Sequence, residues 1–322
     1  MNKTIKTLCC LFISFTLISC VTTKPEDVIH ISYAEKYVDY VQTKQYDLLP
    51  NLLEEWESEE PNDPEFYSFK TQYLTSKSFE MLMAQGKEPP KDKDTPYVVQ
   101  QDENGQPIYV SKAPVIFQDK FNETVETAKK GILLYPNRID LYIELALLYQ
   151  NVTQYDNAKD VIMEILEQSK KNDMMWYTNF QKPLLSSNRS QKENEIAFIE
   201  MLYEQFFNEW FYIGTPTSMK CVNEVYNAIA SLFPNNAHIY LIWGSDYLNL
   251  QNLKEGESLL LKGREIEKDN LIIIRNLAFL YTILDQNEAK ATPYINLLLN
   301  SGDEKYIYEG ESFQSVFTSP SL

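Results

Sequence analysis

The sequence predicts an all-α fold, a stack of paired antiparallel helices, and three observations predict it. Glycine is scarce, at nine of 322 residues, while Leu, Tyr, Glu, Lys and Asn are abundant. An aromatic-Pro-Asn signal recurs at Tyr135-Pro136-Asn137 and at Phe233-Pro234-Asn235. The segments behind these signals share one spacing. Six residues after each proline stands a tyrosine, Tyr142 and Tyr240, followed by Leu145 and Trp243, Ala146 and Gly244, and Tyr149 and Tyr247. A further copy lies 34 residues on, as Ile274, Leu277, Ala278 and Tyr281. The prolines fall just past a helix end, where a missing N–H costs least.

The 34-residue period and the order large–Leu–small–Tyr resemble the first helix of the tetratricopeptide repeat. The small residues Ala146, Gly244 and Ala278 would let two helices approach closely, and Ala158 and Gly256 would do so from the second helix. The resemblance implies a right-handed superhelical stack of about six helical hairpins with a concave face.

The elements follow in order. Residues 27–86 read as degenerate repeat-like helices: Tyr33, Tyr40, Leu49, Leu53, Trp56 and Pro61 fit one copy, and a helix is expected at about Asp63 to Gln85. Residues 87–117 break the pattern with Pro, Lys and Asp, then carry two β-prone runs around Asn104-Gly105, a hairpin signal. Residues 118–301 return to helical repeats, with a polar, irregular stretch at Lys170 to Arg189. Residues 302–322 are expected to form a capping helix or a tail.

The amino terminus predicts the compartment. Lys3 and Lys6 precede an uncharged, mostly apolar run from Leu8 to Ile18, too short to span a bilayer, and residues 1–19 read as a signal peptide. Leu17-Ile18-Ser19-Cys20 resembles the lipobox of bacterial lipoproteins, which implies lipidation at Cys20 and a short tether over residues 20–26. Aspartate is absent directly after Cys20, which in that family resembles routing to the outer membrane, periplasmic face, rather than the inner one. Cys9 and Cys10 leave with the signal, so Cys221 is the one remaining thiol and reads as a small buried hydrophobe.

Charge and motifs narrow the function. With 46 acidic against 29 basic residues, a net of −17, the surface repels nucleic acid. His30 and His238 are the two histidines, and no His/Cys cluster, nucleophile motif or glycine-rich phosphate loop stands in the chain. No catalytic residue, metal or cofactor is expected, and the chain reads as a binding protein, not an enzyme.

The repeat resemblance places certain first-helix positions on the concave face. They are Asp140, Ile143, Leu147, Gln150 and Asn151; then His238, Leu241, Ser245, Leu248 and Asn249; then Ile272, Arg275, Phe279, Thr282 and Ile283. This mixed apolar and amide lining suits an extended peptide or a helix. The expected function is a lipid-anchored scaffold that binds a protein or peptide partner in a cell-envelope assembly. The alternative is an accessory lipoprotein of solute uptake that holds a small molecule.

Overall fold

The computed structural model describes residues 31–318, which form six helical hairpins and a closing helix. Cys20 and the segments expected as leader and tether lie outside the described residues. Hairpin 1 pairs α1 (Tyr33–Gln42) with α2 (Leu49–Glu59). Hairpin 2 pairs α3 (Pro64–Ser78) with α4 (Gln118–Leu134), and hairpin 3 pairs α5 (Ile139–Asn151) with α6 (Tyr155–Lys171). In hairpin 4, α7 (Gln191–Leu202) passes through a π turn at Tyr203–Phe207 into α8 (Asn208–Ile213), and α9 (Pro216–Leu232) returns. Hairpin 5 pairs α10 (His238–Asn249) with α11 (Leu253–Ile266). Hairpin 6 pairs α12 (Leu271–Phe279), extended by a π turn at Leu280–Leu284, with α13 (Glu288–Leu299). The last element is α14 (Glu304–Thr318).

Local chemistry sets these boundaries. Ser32 and Glu35 form a reciprocal capping box at α1, and Ser190 and Glu193 repeat it at α7. Asp63 and Thr215 cap α3 and α9, each with proline at the first helical position. Large aromatics fill the seams between helices: Trp56, Trp176 and Trp210 are fully buried. Truncating such a side chain to Ala costs about 3–5 kcal/mol.

Two expectations need correction. The helix expected to reach Gln85 ends at Ser78, and Phe79–Gly86 is strand β1. It pairs antiparallel with β3 (Pro107–Ile116), from Phe79 opposite Ile116 to Gly86 opposite Tyr109. Met, Leu, Ala and Gln favour helix locally, and the ladder overrides that preference. With β2 (Tyr97–Gln101) on the other edge of β3, the insertion is a three-stranded sheet in the order β1-β3-β2 rather than a lone hairpin. The expected turn is there: β2 turns into β3 with Gly105 at φ +76, and Asp102 accepts from the amides of Asn104 and Gln106.

The sheet reaches along the stack. Asp94, in its β1–β2 connection, accepts from the Thr217 backbone N–H at 2.9 Å and from the Thr217 hydroxyl at 2.8 Å, at the start of α9. Ser78 and Thr124 share a buried hydroxyl–hydroxyl bond of 2.7 Å at the sheet's root. The insertion of hairpin 2 is thus tied to hairpin 4. The stretch expected to be irregular from Lys170 to Arg189 is so from Asn172, where α6 has ended, and carries a two-residue strand pair, β4 (Tyr177–Thr178) against β5 (Lys182–Pro183). The carboxyl end is a capping helix, since α14 packs on α12 and α13 and buries Phe313.

Candidate functional site

The first helices of hairpins 1–3 stand side by side, α1 on α3 and α3 on α5. Their shared face is aromatic with carboxyl groups set into it. The Tyr37 and Phe69 rings lie 4.7 Å apart, and Phe69 also meets Trp56 at 6.0 Å. One turn further along α3, the Gln72 amide donates to Glu144 Oε1 at 2.9 Å. Glu144 is half-buried, and no ion pair reaches it among the described residues. Burial, then the nearby Asp140 charge, push its carboxyl up to about 8, against the pull of the Gln72 amide. Burial and the same Glu144 raise the Tyr37 hydroxyl as well, and Tyr73 adds to it. Tyr37, Phe69 and Trp56 of α2 are themselves core side chains, and Glu144 is a half-buried carboxyl near this aromatic cluster.

The amino ends of α3 and α5 are clamped by Arg138. Its guanidinium binds Glu65 through two bonds of 3.0 and 3.1 Å, Asp140 through 2.9 and 2.7 Å, and Asn179 Oδ1 at 3.0 Å. Burial raises the Glu65 carboxyl while Arg138 and the Phe180 amide pull it down. Arg138 is 5% exposed, so losing either partner would strand a buried charge. The same clamp holds a strap from the irregular stretch. The Phe180 N–H donates to Glu65 Oε1 at 2.7 Å, and the Phe180 ring stands edge-on to Phe69 at 6.2 Å.

The hairpins repeat one packing rule. Ala146 and Ala158 are fully buried between α5 and α6. Gly244 and Gly256 hold the same places in α10 and α11, where an added Cβ on Gly244 would stand 2.9 Å from Leu260 and one on Gly256 would stand 2.5 Å from Leu248. Ala278 and Ala291 do so in hairpin 6, one residue further apart, and the π turn at Leu280–Leu284 absorbs the extra residue. The described residues form a stack of helical hairpins with tetratricopeptide-like spacing. No family model matches the chain, and no curated protein does. Its likeness to solved structures is distant. YrrB, described as a TPR protein with an unusual peptide-binding site, is 12% identical, with 81% of this chain and 97% of that one covered and a TM-score of 0.33. A thermophilic TPR protein of Thermus thermophilus is 13% identical over 88% of this chain and 97% of its own, with a TM-score of 0.27. The TPR2AB domain of yeast Sti1, in complex with pHSP90, is 11% identical over 89% and 95%, with a TM-score of 0.28.

In this stack the residues expected on the concave face fall into three groups. Asp140 is taken up by the Arg138 clamp, and Ile143 and Leu147 are half-buried against the core beside Glu144. Gln150 does not line a groove. It is 5% exposed, accepts from Trp210 Nε1 at 2.7 Å and donates to Glu209 at 2.6 Å, so it bonds hairpin 3 to hairpin 4. Asn151 is exposed at the end of α5.

Leu241 and Leu248 are also corrections. Both are core residues packed against hairpin 6, and Leu248 fills the space that Gly256 leaves. Ser245 bonds Asn276 at 2.9 Å, linking α10 to α12, and Asn249 is exposed. His238 opens α10 with Nε2 3.3 Å from Glu200, its pKa lowered by burial against the pull of Glu200 and Glu267. On α12, Arg275 pairs with Glu309 of α14 at 3.4 Å, and Phe279 faces Phe313 at 6.5 Å. Ile272 and Ile283 are exposed, and Thr282 is buried. The carboxyl-terminal part of the face is therefore engaged by the chain's own last helix.

Sequence reasoning missed Tyr37, Phe69, Gln72, Tyr73 and Glu144 as a group. One signal was present: Glu144 is a lone acid inside the apolar run of α5. Cys221 is buried with Sγ 3.6 Å from Asp156, and burial, then that charge, push the thiol up to about 12, so it stays protonated. No group of three or more His, Cys, Asp or Glu gathers for a metal ion among the described residues.

Proposed function

We propose that this protein is an exported scaffold, held to a bacterial membrane by lipid on Cys20, that grips an extended segment of a protein partner on the first-helix face of hairpins 1–3. The periplasmic face of the outer membrane is the proposed address. One observation carries the reading: the half-buried Glu144 carboxyl has an amide for a partner, no cation, and aromatic side chains around it. A lysine or arginine of a partner would supply the missing charge and release the cost of that burial. The net charge of −17 draws basic segments to the whole chain and steers their approach.

A photo-crosslinker placed at Tyr73 in cells tests this. A defined protein joined to the wild-type background, and lost with Glu144→Lys, supports the groove. An unchanged crosslink pattern in Glu144→Lys would overturn it.

The uptake alternative has one observation of its own. A cleft of about 450 Å3 lies between residues 173–187 and the start of α7, lined by Met174, Trp176, Tyr177, Ser186 and Asn194. A small polar solute would bind there with Glu144→Lys without effect, and equilibrium dialysis against candidate sugars and amino acids separates the two readings.

A further inference from the structure

The segment Tyr177–Pro183 behaves as a bound ligand that happens to be covalently attached. It leaves α6, pairs Tyr177 with Pro183 and Thr178 with Lys182, and lays its tip on hairpin 2. Three contacts hold the tip, each of a kind an incoming peptide could make. Asn179 offers its side-chain carbonyl to Arg138 at 3.0 Å. Phe180 gives its backbone N–H to Glu65 at 2.7 Å. The Phe180 ring leans on Phe69, and it remains 42% exposed. The tip is also held in an unfavourable backbone shape. Phe180 has φ 60 and Gln181 φ 50, left-handed values that cost a bulky residue energy and that an open chain would not keep.

Phe69 and Gln72 lie one helical turn apart on α3, and Gln72 marks the position of Glu144. A turn advances roughly 5.4 Å, close to the roughly 6.6 Å that two residues of extended chain span. A segment whose aromatic residue replaced Phe180 on Phe69 would therefore bring its second-next residue to Glu144. In the strap that residue is Lys182. The chain reverses there, so the Lys182 ammonium folds back over the Phe180 ring at 5.9 Å and does not reach Glu144.

We infer that the strap is a built-in occupant of the groove, and that the true partner is an extended segment of the pattern aromatic-x-Lys or aromatic-x-Arg that displaces it. Its aromatic ring takes the place of Phe180 on Phe69, and its cation goes on to Glu144. This rests on the peptide-binding reading of the same face, and adds its specificity and its gate. A site filled in cis lowers apparent affinity by the fraction of time it stands open. Glu65 and Arg138 would stay paired throughout, so opening costs the Asn179 and Phe180 hydrogen bonds and one ring contact rather than a buried ion pair.

The test uses the full chain and a fluorescent peptide with the strap's own sequence, Tyr-Thr-Asn-Phe-Gln-Lys-Pro. The variant is Phe180→Ala, at an exposed position that leaves the hairpins intact. The peptide is expected to bind Phe180→Ala roughly tenfold or more tighter than wild type, and a peptide with Phe replaced by Ala should show no such gain. In wild type, saturating peptide should speed hydrogen exchange at the Phe180 amide. Equal affinity for both proteins, abolished in both by Glu144→Lys, would overturn the strap while leaving the groove. Binding by neither protein would overturn the groove and the strap together.

Discussion

Glu144 shows how one side chain records a use for a surface. A carboxyl in the apolar run of α5 could have been bonded to Arg138, two turns away, but that guanidinium is spent on Glu65 and Asp140. Glu144 is left with Gln72, and its carboxyl rises to about 8. An acid whose folded pKa lies above its unfolded value, about 4.3, contributes stability that is complete below that value and lost as pH rises through the folded pKa. Asp246 adds a similar loss lower down. It accepts from Tyr226 at 2.8 Å and Tyr203 at 3.2 Å, and burial outweighs those bonds and pushes it up to about 6. Wild-type melting temperature should therefore fall between about pH 5 and about pH 9, and Glu144→Gln should flatten the upper part of that fall. Parallel curves for the two proteins would mean the Glu144 carboxyl is free to ionise at no cost.

At the scale of the element, the helix crossings decide. Gly256→Ala would drive a methyl group to within 2.5 Å of the Leu248 side chain. The expected loss is about 1–3 kcal/mol, seen as a lower urea midpoint with an unchanged slope. A midpoint equal to wild type would show that α10 and α11 can part freely. These crossings were legible in the sequence because the pairs Ala146/Ala158 and Gly244/Gly256 repeat one spacing within a single hairpin. Strand β1 was not legible, because Met81, Leu82, Met83 and Ala84 suit a helix and its partner strand lies some thirty residues on. The groove assignment failed at Gln150, Leu241 and Leu248 for a related reason. Gln150 is held by Trp210 of the next hairpin, Leu241 lies in one core cluster with hairpin 6, and Leu248 fills the space left by Gly256 on the facing helix, and a list of first-helix positions names none of these neighbours. The clamp at Arg138 joins residues 65, 138, 140 and 179, and no local spacing announces it.

Across the whole molecule, the two ends of the stack differ. Among the described residues the strap lies on the amino-terminal face, while α14 packs over Arg275 and Phe279 at the other end. A stack of repeats needs such a terminal cover to stay soluble. Ending the chain after Gly302 should lower the melting temperature by about 5 °C or more and produce self-association visible by light scattering. A monomer with unchanged melting would show that α14 contributes neither stability nor solubility.

The tie from Asp94 to Thr217 gives this stack an uneven stiffness. A solenoid whose members touch only their neighbours flexes like a spring, sharing any bend along its length. Here hairpins 2, 3 and 4 cannot splay without stretching the sheet's anchor, so they act as a truss. Hairpins 5 and 6 have no comparable strut among the described residues, and the elasticity gathers there. A load pulling on the two ends would uncoil the carboxyl-terminal third before it parted hairpins 2–4.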